Sequence, residues 1–343
     1  MNILVPIQNK DDVAPLALAG ANEIYCGYVP KWWISEFNSP ETINKYATAP
    51  CSINNRNALK SNFTNINELA ESVRIAKEMG ITLYLTMNSK CFPDMAFEFL
   101  VRWLDEITSI GVNKLIVSDF GLISWLNESY PQFTLSISCL SQITNIESIR
   151  FCLEFENVER IVFPRHISVN EVIELAKEFP KVEFEFFGLS NKCQYDDGYC
   201  RGIHDFFPVC KDIWKNDFYS SNGNISYDEQ EMLINTSERF NRWAIGYPNS
   251  MPCGYRWNGV ACSLCAINDL ISFPNIVAVK LAGRGYELSE RVEQVKIAKD
   301  IIYQATQGSS ITASKQMVRD FFGIQDFCCG TNCIMSGKEI LWK

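Results

Sequence analysis

The feature that most constrains the fold is an alternation. Short apolar, β-branched-rich runs are separated by longer stretches of helical period. Eight such runs can be counted: NILVP (2–6), EIYCG (23–27), TLYLTM (82–87), KLIVS (114–118), TLSIS (134–138), RIVFP (160–164), VEFEFF (182–187) and IVAVKL (276–281). Strands that alternate with helices read as repeated βα units around a parallel sheet. Between them, INELAESVRIAKEMG carries Leu69, Val73, Ile75, Ala76 and Met79 at helical spacing and stops at Gly80, while VNEVIELAKEFP has Ser168 as a cap ahead and Pro180 behind. The pattern predicts an α/β fold, an eight-stranded βα (TIM-like) barrel with a long cysteine-bearing insertion after strand seven. Residues 1–310 make the barrel, including the insertion 188–275, and residues 311–343 a cysteine-containing tail that packs on it.

In such a barrel the chemistry belongs to the loops that leave the C-terminal ends of the strands. Read directly, these carry Gln8, Gly27 with Tyr28, Asn88, Asp119, Gln142, Arg165 with His166, the Cys193 loop, and Gly283 with Arg284. Two connections, 28–65 and 188–275, are too long for simple βα loops and are expected over the same face. His166, one of two histidines, sits where a barrel base or ligand would sit, or else holds a loop; His204 is the other. Trp32 and Trp33, in GYVPKWWISEF, either line a hydrophobic substrate pocket or anchor the long loop to the rim. A planar guanidinium pairs with a carboxylate in bidentate fashion, so Arg165 and Arg284 suit a carboxylate-bearing ligand.

A formal charge of −9 with scattered Lys and Arg gives no general attraction to phosphate, which leaves at most a local RNA-binding groove. The N-terminus has no basic segment followed by an apolar core, and no run of about 18 uncharged apolar residues occurs, so a cytoplasmic protein without a membrane span is expected. In that setting 14 cysteines are not a disulfide framework. Cys26, Cys51, Cys91, Cys139 and Cys152 are dispersed and read as small structural hydrophobes, whereas nine crowd into residues 193–333. Among these, Cys193, Cys200, Cys210 and Cys265 converge on one end of the barrel, and four thiolates hold either zinc or an iron-sulfur cluster. Cys262 forms a Cys-x-x-Cys with Cys265 and, like Cys253, is a substitute ligand. Cys328, Cys329 and Cys333 belong to a structural tail or to a second redox site.

The order of segments resembles the collagenase-like peptidase family U-32 over nearly the whole chain. The resemblance is carried by ILVPIQNKDDVAPLALAGANEIYCG, RNALKSNFTNINELAESVRIAKEMGITLYLTMN, LIVSDFGLI, SISCLSQITNIESIRF, VERIVFPRHISVNEVIELA, EFFGLSNKCQYDDGYC, PVCKDIW, SLCAINDL and VAVKLAGRGY. It implies the same barrel. It also implies a 4Fe-4S cluster on Cys193, Cys200, Cys210 and Cys265, since members with these cysteines carry one, and several are oxygen-independent hydroxylases of a ubiquinone precursor or of RNA bases that use prephenate as oxygen donor. By the same resemblance Arg56, Asn88, Asp119, Gln142, Arg165, Lys280 and Arg284 fall on polar positions of the mouth. Two carboxylates common in the family are absent, because this chain reads Arg165-His166 after strand six and Ala282-Gly283-Arg284 after strand eight.

The resulting expectation is an iron-sulfur oxidoreductase that hydroxylates, or otherwise modifies by redox chemistry, a small aromatic metabolite or a peptide. A prephenate-like donor and a homologous partner subunit are the further ligands considered. His166, Arg165, Asp119 and Arg284 are the candidate catalytic residues, and Arg56, Asn88, Gln142, Lys280 and Trp33 the candidate substrate contacts. Three rivals stand beside it: an RNA-base hydroxylase, a metal-dependent peptidase, and a non-catalytic cluster-bearing subunit.

Overall fold

A computed structural model describes residues 1–37, 52–55, 61–191, 197–199, 225–234, 260–323 and 334–335. Eight parallel strands close on themselves: β1 (Asn2–Pro6), β2 (Glu23–Tyr28), β3 (Thr82–Met87), β4 (Lys114–Val117), β5 (Thr134–Ile137), β6 (Val158–Val162), β7 (Glu183–Asn191) and β8 (Ile276–Leu281). Each pairs with its sequence neighbours, and β8 returns to β1, whose Asn2, Ile3 and Leu4 register with Ala278, Val279 and Lys280. The expected βα barrel is therefore present.

Its helices follow the strands: α1 (Val13–Ala19), α2 (Ile66–Glu78), α3 (Ala96–Ser109), α4 (Phe120–Ser129), α5 (Ile146–Cys152), α6 (Val169–Glu178), α7 (Ile267–Leu270), α8 (Leu288–Thr306) and α9 (Ile311–Phe322). Local chemistry fixes their starts. Asn65 caps α2, and Ser168 and Glu171 make a reciprocal capping box on α6, satisfying N–H groups that have no partner within the helix. Helix α2 ends at Glu78, two residues before Gly80, whose φ of +68° an L side chain resists.

Strand ends depart from the sequence reading for definable reasons. Strand β6 stops at Val162 rather than Pro164, because Pro164 has no N–H to give a ladder and the Arg165 N–H turns to Asp197 instead. Strand β7 runs on to Asn191 because a short strand, Val260–Cys262, pairs antiparallel with its last three residues. A two-residue strand, Asn62–Phe63, likewise extends β2 to Tyr28. The segment after residue 310 opens as a full helix: Ser310 caps α9, and Ser314 and the Ser309 carbonyl clasp Asn268 of α7.

Strand periodicity divides the barrel into two environments. Outward residues such as Val5, Ile24, Leu85, Val117, Ile137, Phe184, Phe186 and Val279 are buried under the helices in one continuous core. Inside lies a separate small cluster of Leu4, Tyr25, Tyr84 and Ile116. Many of the other inward positions are polar or charged, among them Glu23, Ser136, Arg160, Glu185 and Lys280, and these lead to the site.

Candidate functional site

Barrel interiors are ordinarily filled by branched aliphatic side chains. Here a ladder of charge climbs through the interior instead. At its base Arg160, 4% exposed, places its guanidinium Nη1 2.6 Å from Glu23 Oε2, Nη2 2.9 Å from Glu183 Oε2, and Nη1 3.2 Å from Glu185 Oε2. Burial works against the charge on Arg160, yet Glu23 and Glu185 outweigh it and hold the pKa above its ordinary value. The other oxygen of Glu185 accepts from Lys280 Nζ at 2.7 Å. Above that pair the cations rest on aromatic faces: Lys280 Nζ lies 4.6 Å from the Tyr25 ring centre and 5.9 Å from that of Phe187, Arg284 Cζ 5.7 Å from Tyr25, and Arg165 Cζ 3.9 Å from Phe187. The layer below the mouth is thus three cations around two rings.

The rim beside Arg284 is built from amides. Asn54 donates to Asn62 Oδ1 at 2.9 Å, and Arg284 donates to the same oxygen at 3.3 Å. This convergence needs Gly27, because a Cβ there would fall on Asn62 Oδ1 and lie 2.7 Å from Asn54 Nδ2 and 2.9 Å from Arg284 Nη1. Asn88 follows along the rim, accepting from the Asn55 N–H and donating to Ser138 Oγ. Residues 52–55 of the first long connection therefore do reach this face.

Asp119 and Trp33 both make structural contacts at this face. Both Asp119 oxygens accept backbone N–H groups, from Leu122 at 2.8 Å and Phe92 at 3.0 Å, so the side chain caps α4 and ties down the preceding loop. Trp33 is fully buried against Phe37 and Phe99, the loop-anchoring one of the two roles open to it from the sequence. Its neighbour Trp32 donates to Glu106, as does Tyr28, so this aromatic pair anchors the loop to α3.

The Asp197–Tyr199 turn, which lies between Cys193 and Cys200 in sequence, is docked in detail. Asp197, 4% exposed, accepts from the Arg165 N–H at 2.9 Å and pairs with its guanidinium. With the Gln142 amide assigned the orientation that its neighbours' donors and acceptors require, its oxygen accepts from the Asp197 N–H at 3.0 Å and from the Gly198 N–H, and its nitrogen donates to His166 Nε2 at 3.3 Å. Gly198 sits flush against the Cys139–Ser141 turn, where a Cβ would meet the Leu140 carbonyl at 2.9 Å.

Cys26, Cys139 and Cys152 are buried, and burial pushes each thiol up to about 12; for Cys139 the Asp197 carboxylate adds to the shift. Cys91 is exposed. Cys265 stands in the Leu264–Ala266 turn just after the Val260–Cys262 strand, and this turn is tied to β7 by Ser263, whose N–H and hydroxyl donate to the Gly188 and Phe187 carbonyls. Arg56, Cys51, Cys193, Cys200, Cys210, Cys253, His204, Cys328, Cys329 and Cys333 lie outside the described residues. Glu23, Arg160 and Glu185 are site residues that the sequence reading passed over. Their signal is the placement of charge at alternate positions of apolar strands, as in VEFEFF.

The family model described as Peptidase family U32 matches residues 8–206, more than half of the chain. The chain belongs to family U32. This U32 chain is 25% identical to tRNA hydroxylation protein P of Escherichia coli (strain K12) over 143 residues, 41% of this chain and 31% of that protein. It is 29% identical to tRNA hydroxylation protein P1 of Bacillus subtilis (strain 168) over 144 residues, 41% and 33% of the two. The match spans about a third of the length of these relatives. Among solved structures, that of the U32 peptidase Mk0906 aligns with 82% of this U32 chain and 94% of its own, at 12% identity and a TM-score of 0.44.

Proposed function

We propose that the protein is a hydroxylase that modifies an RNA base at the barrel mouth, with a 4Fe-4S cluster on Cys193, Cys200, Cys210 and Cys265. The observation that carries this reading is the mouth itself, where Lys280 and Arg284 rest on the Tyr25 ring beside the Asn54–Asn62 amide pair. Aromatic faces take a flat ring, amides read its hydrogen-bonding edge, and the cations attract the carboxylate of a small oxygen donor of the prephenate kind. The tRNA hydroxylation relatives favour a nucleobase as the ring.

The donor set suits the cluster. Both the Asp197–Tyr199 turn, between Cys193 and Cys200 in sequence, and the Cys265 turn are docked on the C-terminal side of the barrel wall around β7. Four thiols are a soft set that takes iron-sulfur, with zinc as the alternative occupant. Once bound, the cluster would supply electron transfer. The chain's own side chains do the rest: Glu185 holds the Lys280 ammonium in place, Lys280 and Arg284 orient the donor, and Tyr25 with Phe187 keep water from the ring face.

A second reading, hydroxylation of a small aromatic metabolite, is favoured by the formal charge of −9, which opposes general RNA binding. Anaerobic incubation of purified protein with prephenate and either tRNA, ribosomal RNA or small aromatic acids, followed by mass spectrometry, separates the two. Gain of one oxygen on a nucleoside is expected. Gain only on a free aromatic acid would replace the RNA-base reading.

A further inference from the structure

The docked turn assigns work to three residues whose place at the mouth otherwise reads as substrate contact. We propose that Gln142, Arg165 and Asp197 form a clamp that seats the thiol-bearing loop on the barrel, so that Gln142 and Arg165 are positioning residues for the metal site. This rests on the four-cysteine site proposed above. Asp197 lies four residues after Cys193 and three before Cys200 in sequence, so an anchor there is within four residues of either thiol.

The geometry is specific on every side of the turn. Arg165 directs its backbone N–H to one Asp197 oxygen and its guanidinium to the other, which occupies the whole carboxylate. Gln142 gathers the next two N–H groups, those of Asp197 and Gly198, on a single amide oxygen. To reach them it adopts φ 57° and ψ 43°, the one positive φ at a non-glycine position among the described residues. Side chains resist that region, so an amide held there points to a task for the amide. Gly198 completes the fit, because any Cβ would strike the Gln142 side chain and the Leu140 carbonyl. The clamp also reaches the ligand layer: the Arg165 guanidinium that grips Asp197 lies on the same Phe187 ring as Lys280.

Three variants test the clamp: Gln142→Gly, which frees the strained backbone while removing the amide, Asp197→Asn, and Gly198→Ala. Each is purified anaerobically, reconstituted with ferrous iron and sulfide, and challenged with a chelator. Alongside, hydrogen exchange at residues 197–199 is followed in the protein before reconstitution. The expected result is at least a tenfold faster loss of iron and at least a tenfold faster exchange at the turn in all three, with the thermal midpoint of Gln142→Gly no lower than that of the parent. Parent-like iron retention and exchange would overturn the clamp. If the parent itself binds no iron, the cluster reading fails alone, and the exchange rates decide the clamp by the same tenfold criterion.

Discussion

Glu185 and Lys280 meet inside the closed barrel, carboxylate oxygen to ammonium nitrogen at 2.7 Å, with Glu185 1% and Lys280 7% exposed. The relationship gives this chain a carboxylate just beneath a mouth whose sequence lacks two that are common in its family. Arg160 holds the far oxygen of Glu185, so the pair is one rung of a ladder that ends on Glu23 and Glu183. A charged interior of this kind is costly to desolvate and depends on each member being paired.

Removing the central cation should therefore be severe. Arg160→Met leaves Glu23 and Glu185 buried together without their shared partner, and a loss of about 3–5 kcal/mol is expected in urea unfolding. A change below about 1 kcal/mol would show that the ladder relaxes freely and has little structural weight.

Glu185→Gln keeps the shape of the rung and removes its charge. Lys280 then loses its ionic partner, and the account predicts that kcat/KM for RNA-base hydroxylation falls at least about tenfold, mainly through the KM of the carboxylate donor. An unchanged donor KM would place Lys280 outside donor binding.

The barrel itself was legible in the sequence because its outward faces are apolar and its strands keep a period of two. The interior was less so: in VEFEFF, outward Phe184 and Phe186 make the run look wholly buried and disguise inward Glu183 and Glu185 as interruptions. The extension of β7 to Asn191 was not legible at all, since its partner strand at Val260–Cys262 lies far along the chain and has no turn signal joining the two. Asp119 could have been recognised as a cap from its place before an apolar helix. Trp33 carried no such cue, because the sequence does not say which of two adjacent tryptophans faces inward.

Gly27→Ala tests the amide corner. The new methyl group must displace Asn62, Asn54 or Arg284, all of them packed against the Gly27 backbone. The folded barrel should persist by circular dichroism while kcat/KM drops at least about tenfold. Parent-like kinetics would remove this corner from the site.

Thiol reactivity separates structural cysteines from the rest. With pKa values near 12, Cys26, Cys139 and Cys152 hold only about one thiolate in 10⁴ at pH 8, so native protein should leave them unalkylated by iodoacetamide while exposed Cys91 reacts. Their folded values lie above the 9.0 of an unburied thiol, so the stability they contribute is intact below pH 9 and is lost as pH rises from 9 toward 12. Urea midpoints that stay level across that window would contradict the assignment.

The proposed 4Fe-4S cluster on Cys193, Cys200, Cys210 and Cys265 is what would make this barrel a redox enzyme. Iron, acid-labile sulfide and zinc are measured in anaerobically purified protein and in Cys193→Ala, Cys200→Ala, Cys210→Ala and Cys265→Ala. The account predicts about four iron and four sulfide per parent chain, with iron lost from each variant. A colourless parent protein with stoichiometric zinc and no iron would contradict it.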